Sequence, residues 1–299
     1  MLNNWNKPAS TDLATVGLVK TNLRQYLDWP PERQIWLDWL LADVLNIPIS
    51  QIIANPHRPL AKTEQNKLIK LAKKLANHYP LPYLLGHQDF YGRSFQITPA
   101  VLIPRPESEC LIDIIKNLRL EFNQPTAWLD IGTGSGCLII SANLESAQQD
   151  YFGGSDISHS ALRVAKKNGL TLQAKINWRH GSLLRPWFHN NFNQFQQIVI
   201  IANLPYVDLT NYQKNKAELR HEPKQALLSG HDGLQSFRHL VQEIPSFMAH
   251  HPQQIIHLLT ENEINQTNKL QDIFINSGLT WQKSFPDLTG RPRFNWWHN

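Results

Sequence analysis

The sequence predicts an α/β protein built on an open, mostly parallel sheet, with a helical bundle and a β-hairpin ahead of it. Three observations carry this. From about residue 127 onward, apolar strands alternate with helices, as expected when strands are joined by helical crossovers. A glycine-rich run, Gly132 to Gly136, follows directly on the first of those strands. The first 80 residues instead keep apolar side chains at helical spacing.

The size and composition fit this architecture. The 299 residues suffice for two domains, and 41% hydrophobic with 18% charged residues is a globular profile. No apolar run approaches the roughly 18 residues that a membrane span needs. Residues 1–10 are polar and carry no signal-peptide core. The two cysteines, Cys110 and Cys137, lie in apolar surroundings and imply no disulfide framework, so a cytoplasmic setting without a membrane partner is expected. The net charge is +5, and residues 1–80, with ten Lys/Arg and six Asp/Glu, contribute +4 of it. Solvated lysines on helices explain that excess better than a dedicated nucleic-acid surface, which would be more basic. Nucleic acid is therefore not an expected partner. The thirteen histidines show no metal-ligand spacing, and no metal is expected.

Each element follows from local pattern. Trp36, Leu37, Trp39, Leu40, Leu41, Val44 and Leu45 recur at helical spacing within a helical region spanning about 12–80. Thr63 is the predicted N-cap of a further helix, and Pro80 and Pro82 are predicted to stop it. Phe90, Tyr91, Phe95 and Ile97 around a Gly92-Arg93 turn read as a hairpin. A helix is expected over 108–121, then a short strand over 127–130. Helices over 137–144, 158–169, 236–248 and 265–277 alternate with strands over 151–156, 197–202 and 254–260. Residues 189–196 read as a polar loop. The domain boundaries expected from this pass are 1–82, a hairpin linker 83–103, and 104–299.

Three motifs carry chemistry. The run Asp130-Ile131-Gly132-Thr133-Gly134-Ser135-Gly136 turns the chain tightly at the carboxyl end of a strand. A dinucleotide fingerprint would need its third glycine at 137, where Cys stands. The Gly-x-Gly-x-Gly spacing with an acid two residues ahead is instead the form that suits S-adenosylmethionine. Asp156 ends the next strand, where a carboxylate can accept both ribose hydroxyls, although capping the helix that begins near Ser158 is the plainer role. Asn203-Leu204-Pro205-Tyr206 follows an Ile/Val strand. The Asn203 side-chain oxygen and the Leu204 carbonyl can each accept one N–H of a planar NH2 group. Pro205 fixes the backbone, and Tyr206 offers a flat face for stacking. Together these predict methylation of a planar, sp2-bound NH2 group.

Taken with Pro82-Tyr83-Leu84-Leu85-Gly86-His87, Ile103-Pro104-Arg105-Pro106-Glu107-Ser108-Glu109, Arg220-His221-Glu222-Pro223, 226–234 and 287–294, these motifs resemble the protein-(glutamine-N5) methyltransferase family, which acts on peptide chain release factors. A sister branch acts on a ribosomal protein. The resemblance spans nearly the whole chain. It implies a Rossmann-like seven-stranded S-adenosylmethionine methyltransferase sheet, an N-terminal helical substrate-recognition domain and a linking hairpin. It implies the glutamine of a Gly-Gly-Gln loop as substrate. Gly132, Thr133, Gly134, Ser135, Gly136, Asp156, Ser182, Leu183 and Asn203 are then the cofactor residues, and Asn203, Leu204, Pro205 and Tyr206 the catalytic amide clamp.

Three positions depart from the family pattern. Leu204 replaces a proline, giving an Asn-Leu-Pro-Tyr clamp that also resembles ribosomal RNA adenine dimethyltransferases. Ser182 replaces an acid, for which an adenine contact weaker by roughly 1 kcal/mol is expected. Glu263 replaces a glycine and is expected to disturb the exit of the late strand. Two other functions compete with the lead: adenine N6-methylation of nucleic acid, which needs the same clamp, and a catalytically weakened binding module. Arg105 and Glu107 are expected either to orient the glycine loop or cofactor, or to form an interdomain ion pair.

Overall fold

A computed structural model of the protein describes residues 14–27, 35–146 and 149–299. The polar run 1–10 lies outside the described residues. The chain divides into two compact units, Met1–Gly86 and His87–Asn299.

In the first unit, α1 (Val16–Leu27), α2 (Ile35–Leu45), α3 (Ile49–Ala54), α4 (Lys62–Ala76) and α5 (Leu81–Leu85) enclose a core of aliphatic side chains, among them Leu23, Leu40, Leu41, Leu68 and Leu81. Two expectations are corrected here. α4 starts at Lys62 behind Ala61, because the Glu64 carboxylate accepts the Ala61 N–H at 2.7 Å, so Thr63 lies inside the helix. Pro82 does not stop α4, which has already ended. It occupies the first turn of α5, where its missing N–H costs nothing.

The second unit opens with β1 (His87–Phe90) and β2 (Arg93–Gln96), paired antiparallel. Their turn is Tyr91-Gly92, with φ of +48° and +70°, and not Gly92-Arg93. A two-residue loop with both φ positive matches the strand twist. Phe90 and Phe95 bury against Leu111, Ile115 and Phe152. There follow α6 (Cys110–Phe122), β3 (Thr126–Ile131), α7 (Cys137–Leu144), β4 (Tyr151–Asp156), α8 (His159–Thr171), β5 (Asn177–His180) and β6 (Gln197–Ala202). Three short helices, α9 (Leu209–Lys214), α10 (Lys216–Leu219) and α11 (Lys224–Leu227), precede α12 (Gln235–His250). The chain closes with β7 (Ile255–Glu261), α13 (Thr267–Phe274), β8 (Thr280–Pro286) and β9 (Pro292–His298). α13 is shorter than the 265–277 expected, since a 3-10 turn, Ile264–Gln266, takes its start.

Seven strands form one sheet in the order β5-β4-β3-β6-β7-β9-β8. The first five run parallel, while β9 is antiparallel to both β7 and β8. β3 and β6 are buried along their whole length, as central strands covered on both faces must be. The order reverses at β3: β4 and β5 lie to one side, β6 and β7 to the other. A crevice therefore opens beyond the carboxyl ends of β3 and β6. No described helix is long and apolar enough to cross a membrane.

Candidate active site

The glycine loop leaves β3 at that crevice. Gly132 and Thr133 donate their backbone N–H groups to Ser155 O of β4, at 2.8 and 2.9 Å, which turns the loop back over the sheet. The Thr133 hydroxyl donates to Asp130 Oδ2 at 2.6 Å, and Ser135 O accepts from Asn168 Nδ2 at 2.9 Å. Asp130 is 1% exposed, and burial pushes its carboxyl up to about 7 against the opposing Thr133 bond.

A cavity of about 380 Å³ lies outside this edge. Gly132, Gly134, Asp156, Ser182, Leu183, Asn203, Leu204 and Pro205 all line it, although they come from four separate strand ends, those of β3, β4, β5 and β6. Thr133, Ser135, Gly136 and Tyr206 are not among the lining residues. Gly136 serves packing instead: a Cβ there would stand 2.9 Å from Ile140 Cδ1 and 3.0 Å from Trp178 Cη2. Around a Cβ built on Gly134 there is no heavy atom within 4 Å, so bare backbone faces open space. Leu183 holds the left-handed region at φ +47°.

Asp156 does not cap α8; it ties the glycine loop to the start of that helix. Its Oδ2 accepts from Gly134 N at 2.9 Å and its Oδ1 from Ser158 N at 2.8 Å, while the Ser158 hydroxyl caps α8. Each oxygen keeps a further lone pair for an outside donor. Burial raises its pKa, and the two backbone bonds work against that rise. A buried carboxylate beside exposed loop backbone fits a nucleoside carrying an amino-acid end, so the residues present suit S-adenosylmethionine.

The 203–206 segment sits on a network that sequence reasoning missed. Asn203 Nδ2 donates to Ser108 Oγ at 3.2 Å, and Ser108 Oγ donates to Glu261 Oε2 at 2.6 Å. The Tyr206 hydroxyl donates to Glu261 Oε1 at 3.2 Å. Burial is the main reason that Glu261 and Tyr206 both titrate above their ordinary values. The register explains the meeting of Asn203 and Glu261: Ala202 pairs with Thr260, so the residue after each reaches the same sheet edge. The Leu204 side chain is buried in the core below Gly132, and this packing immobilises the position where the family has a proline ring.

Two further expectations are corrected. Glu263 does not disturb the strand exit, because its φ of −68° needs no glycine and its side chain accepts from Ile264 N. Arg105 pairs with Glu222 at 2.5 Å, and Glu222 also accepts from Ile103 N at 3.1 Å. All three lie in the second unit, so Arg105 makes neither an interdomain bridge nor a bond to the glycine loop. Instead the 101–109 and 220–230 segments are clipped together beside the cavity.

Comparison with known proteins bears on the family and the fold. A family model described as the PrmC N-terminal domain matches residues 26–86. The chain is 35% identical over 225 residues to the release factor glutamine methyltransferase of Neisseria gonorrhoeae, covering 75% of this chain and 78% of that one. It is 29% identical over 256 residues to the protein of the same name from Coxiella burnetii, covering 85% and 87%. Among solved structures, the catalytic domain of human METTL16 in complex with the MAT2A 3'UTR hairpin 6 superposes with a TM-score of 0.50 at 13% identity, covering 79% of this chain and 81% of that one. At that identity the likeness is one of fold, and the fold is that of a Rossmann-like methyltransferase.

Proposed function

The chain belongs to the release factor glutamine methyltransferase family, and from that premise we propose that it transfers a methyl group from S-adenosylmethionine to the side-chain amide nitrogen of the glutamine in the Gly-Gly-Gln loop of peptide chain release factors. The observation that carries this reading is the single cavity edge shared by Gly132, Gly134 and Asp156 with Asn203, Leu204 and Pro205.

The residues divide the work. Backbone at Gly132 and Gly134 receives the amino-acid end of the methyl donor, with Thr133, Ser135 and Gly136 holding the loop in shape. Asp156 accepts the ribose hydroxyls, and Ser182 and Leu183 bound the adenine end. When bound, S-adenosylmethionine supplies an electrophilic methyl group. Asn203 Oδ1 and the Leu204 carbonyl each accept one N–H of the glutamine amide, which fixes the nitrogen's approach. Pro205 restrains the loop, and Tyr206, packed on the core and tied to Glu261 through its hydroxyl, braces the clamp from behind the cavity wall. Most of the rate then comes from positioning. No prior base is needed, because the amide N–H becomes acidic as the nitrogen acquires positive charge, and its proton is lost to water in the open cavity after the methyl has moved. The first unit, expected over residues 1–82, is the substrate-recognition domain in this proposal; residues 26–86 match the PrmC N-terminal domain.

Mass spectrometry of a purified release factor incubated with the protein and S-adenosylmethionine tests this. One added methyl on the Gly-Gly-Gln glutamine is expected, with the rate reduced by at least about 100-fold in Asn203→Ala. No added methyl, with the methyl donor still bound, would reject the substrate and favour an adenine amine.

A further inference from the structure

Asn203 offers two chemically opposite ends, and only one of them can accept an N–H. Something must decide which end faces the cavity. Ser108 has a single hydroxyl proton, and its oxygen lies 2.6 Å from Glu261 Oε2. A hydroxyl donor on each of its oxygens and the charge of Arg293 nearby favour the ionised form of Glu261 against burial, and a carboxylate accepts only, so that bond takes the proton. Toward Asn203, 3.2 Å away, Ser108 is then an acceptor. The Asn203 NH2 group is drawn to Ser108 and Oδ1 is left for the substrate. The second oxygen of Glu261 accepts from the Tyr206 hydroxyl at 3.2 Å, so one carboxylate sets both ends of the clamp. Ser108 is 3% exposed and Glu261 1%, so water does not compete for these bonds. Ser108 lies in the 3-10 turn Pro106–Glu109, and Glu261 ends β7.

We propose that Ser108 and Glu261 are positioning residues of the amide clamp: the carboxylate fixes Ser108 as an acceptor, and Ser108 thereby fixes which end of the Asn203 amide meets the substrate. The inference rests on reading Asn203 as the clamp. Ser108→Ala removes the acceptor. Glu261→Gln presents a donor where the acceptor stood, freeing Ser108 to donate to Asn203 Oδ1.

The test combines steady-state kinetics on a release factor, calorimetry with S-adenosylmethionine, and a crystal structure of Ser108→Ala. Both variants are expected to lower kcat by about 10- to 100-fold while the Kd for S-adenosylmethionine stays within about twofold. Ser108→Thr, which keeps the hydroxyl, recovers most of the rate. In an Asn203→Ala background, Ser108→Ala has no further effect, because residues acting as one unit are not additive. The crystal structure shows the Asn203 amide turned or split between two orientations. A kcat within about twofold of wild type, losses that multiply with that of Asn203→Ala, or an unmoved Asn203 amide overturns the proposal. Should Glu261→Gln fail to fold, Ser108→Ala decides alone. Should the wild type methylate no release factor, the proposed substrate fails, and the Asn203 orientation in the crystal still decides the positioning claim.

Discussion

Gly134 and Gly136 both hold a left-handed backbone, at φ +57° and +80°, but for different reasons. Gly134→Ala places a methyl group in open cavity space, so it should cost about 1–2 kcal/mol of stability for the backbone strain and weaken S-adenosylmethionine binding by at least about tenfold. Gly136→Ala drives a Cβ into Ile140 and Trp178, so it should destabilise by about 2–4 kcal/mol, with binding by the folded fraction little changed. Urea unfolding alongside calorimetry separates the two effects. Asp130 makes a prediction in pH. Its folded pKa, about 7, lies above the ordinary 3.8, so between those values the native state holds a proton that the unfolded chain has released. Its contribution to stability is therefore full below pH 3.8 and lost as pH climbs toward 7, by up to about 1.4 kcal/mol per pH unit. Asp130→Asn should flatten that part of the profile, and unfolding midpoints at pH 5 and pH 7.5 will show whether it does.

Elements are joined here by few but well-buried polar bonds. Asn168 on α8 exchanges hydrogen bonds with both backbone groups of Gln96 on β2, at 2.8 and 2.9 Å, and donates to Ser135 O in the glycine loop. One side chain 2% exposed thus fixes the hairpin, the helix and the cofactor loop relative to one another. Asn168→Ala leaves three backbone groups without these partners, and a loss of about 2–4 kcal/mol is expected. Binding of S-adenosylmethionine should weaken in the same variant, which a purely peripheral bond would not produce. Chemical denaturation with parallel calorimetry provides both numbers. The hairpin itself was readable from its aromatic residues, but its turn was misplaced by one residue. Glycine marks a turn without saying which neighbour shares it, and here Tyr91 accepts the unusual φ.

At the scale of the molecule, each unit buries its own apolar cluster, one drawn from residues 16–81 and the others from residues 90–297. A chain of residues 87–299 is accordingly expected to unfold cooperatively and to bind S-adenosylmethionine. Its kcat/KM for a release factor should fall by at least about tenfold, because the proposed recognition domain is missing. Differential scanning calorimetry and the methylation assay check the two halves of that expectation. A truncated chain that methylates release factors at full efficiency would reject the recognition role of the first unit.

Short-range pattern determined most of the architecture. Gly132-Thr133-Gly134 and the Ile/Val run of β6 are local signals, since a tight turn or a buried central strand constrains consecutive residues. The same held for Asp156, whose place at a strand end follows from its spacing to the loop. Tertiary structure alone decided which of these residues face the cavity and what holds them. Gly136 and Gly134 look alike in sequence, and the packing of Ile140, Trp178 and Ala165 distinguishes them. Arg105 found Glu222, 117 residues away, and Ser108 bridged Asn203 and Glu261 across separations of 95 and 153. Such pairs leave no periodicity to read, because the parallel crossovers of the sheet, and not nearness along the chain, bring strand ends to a common edge.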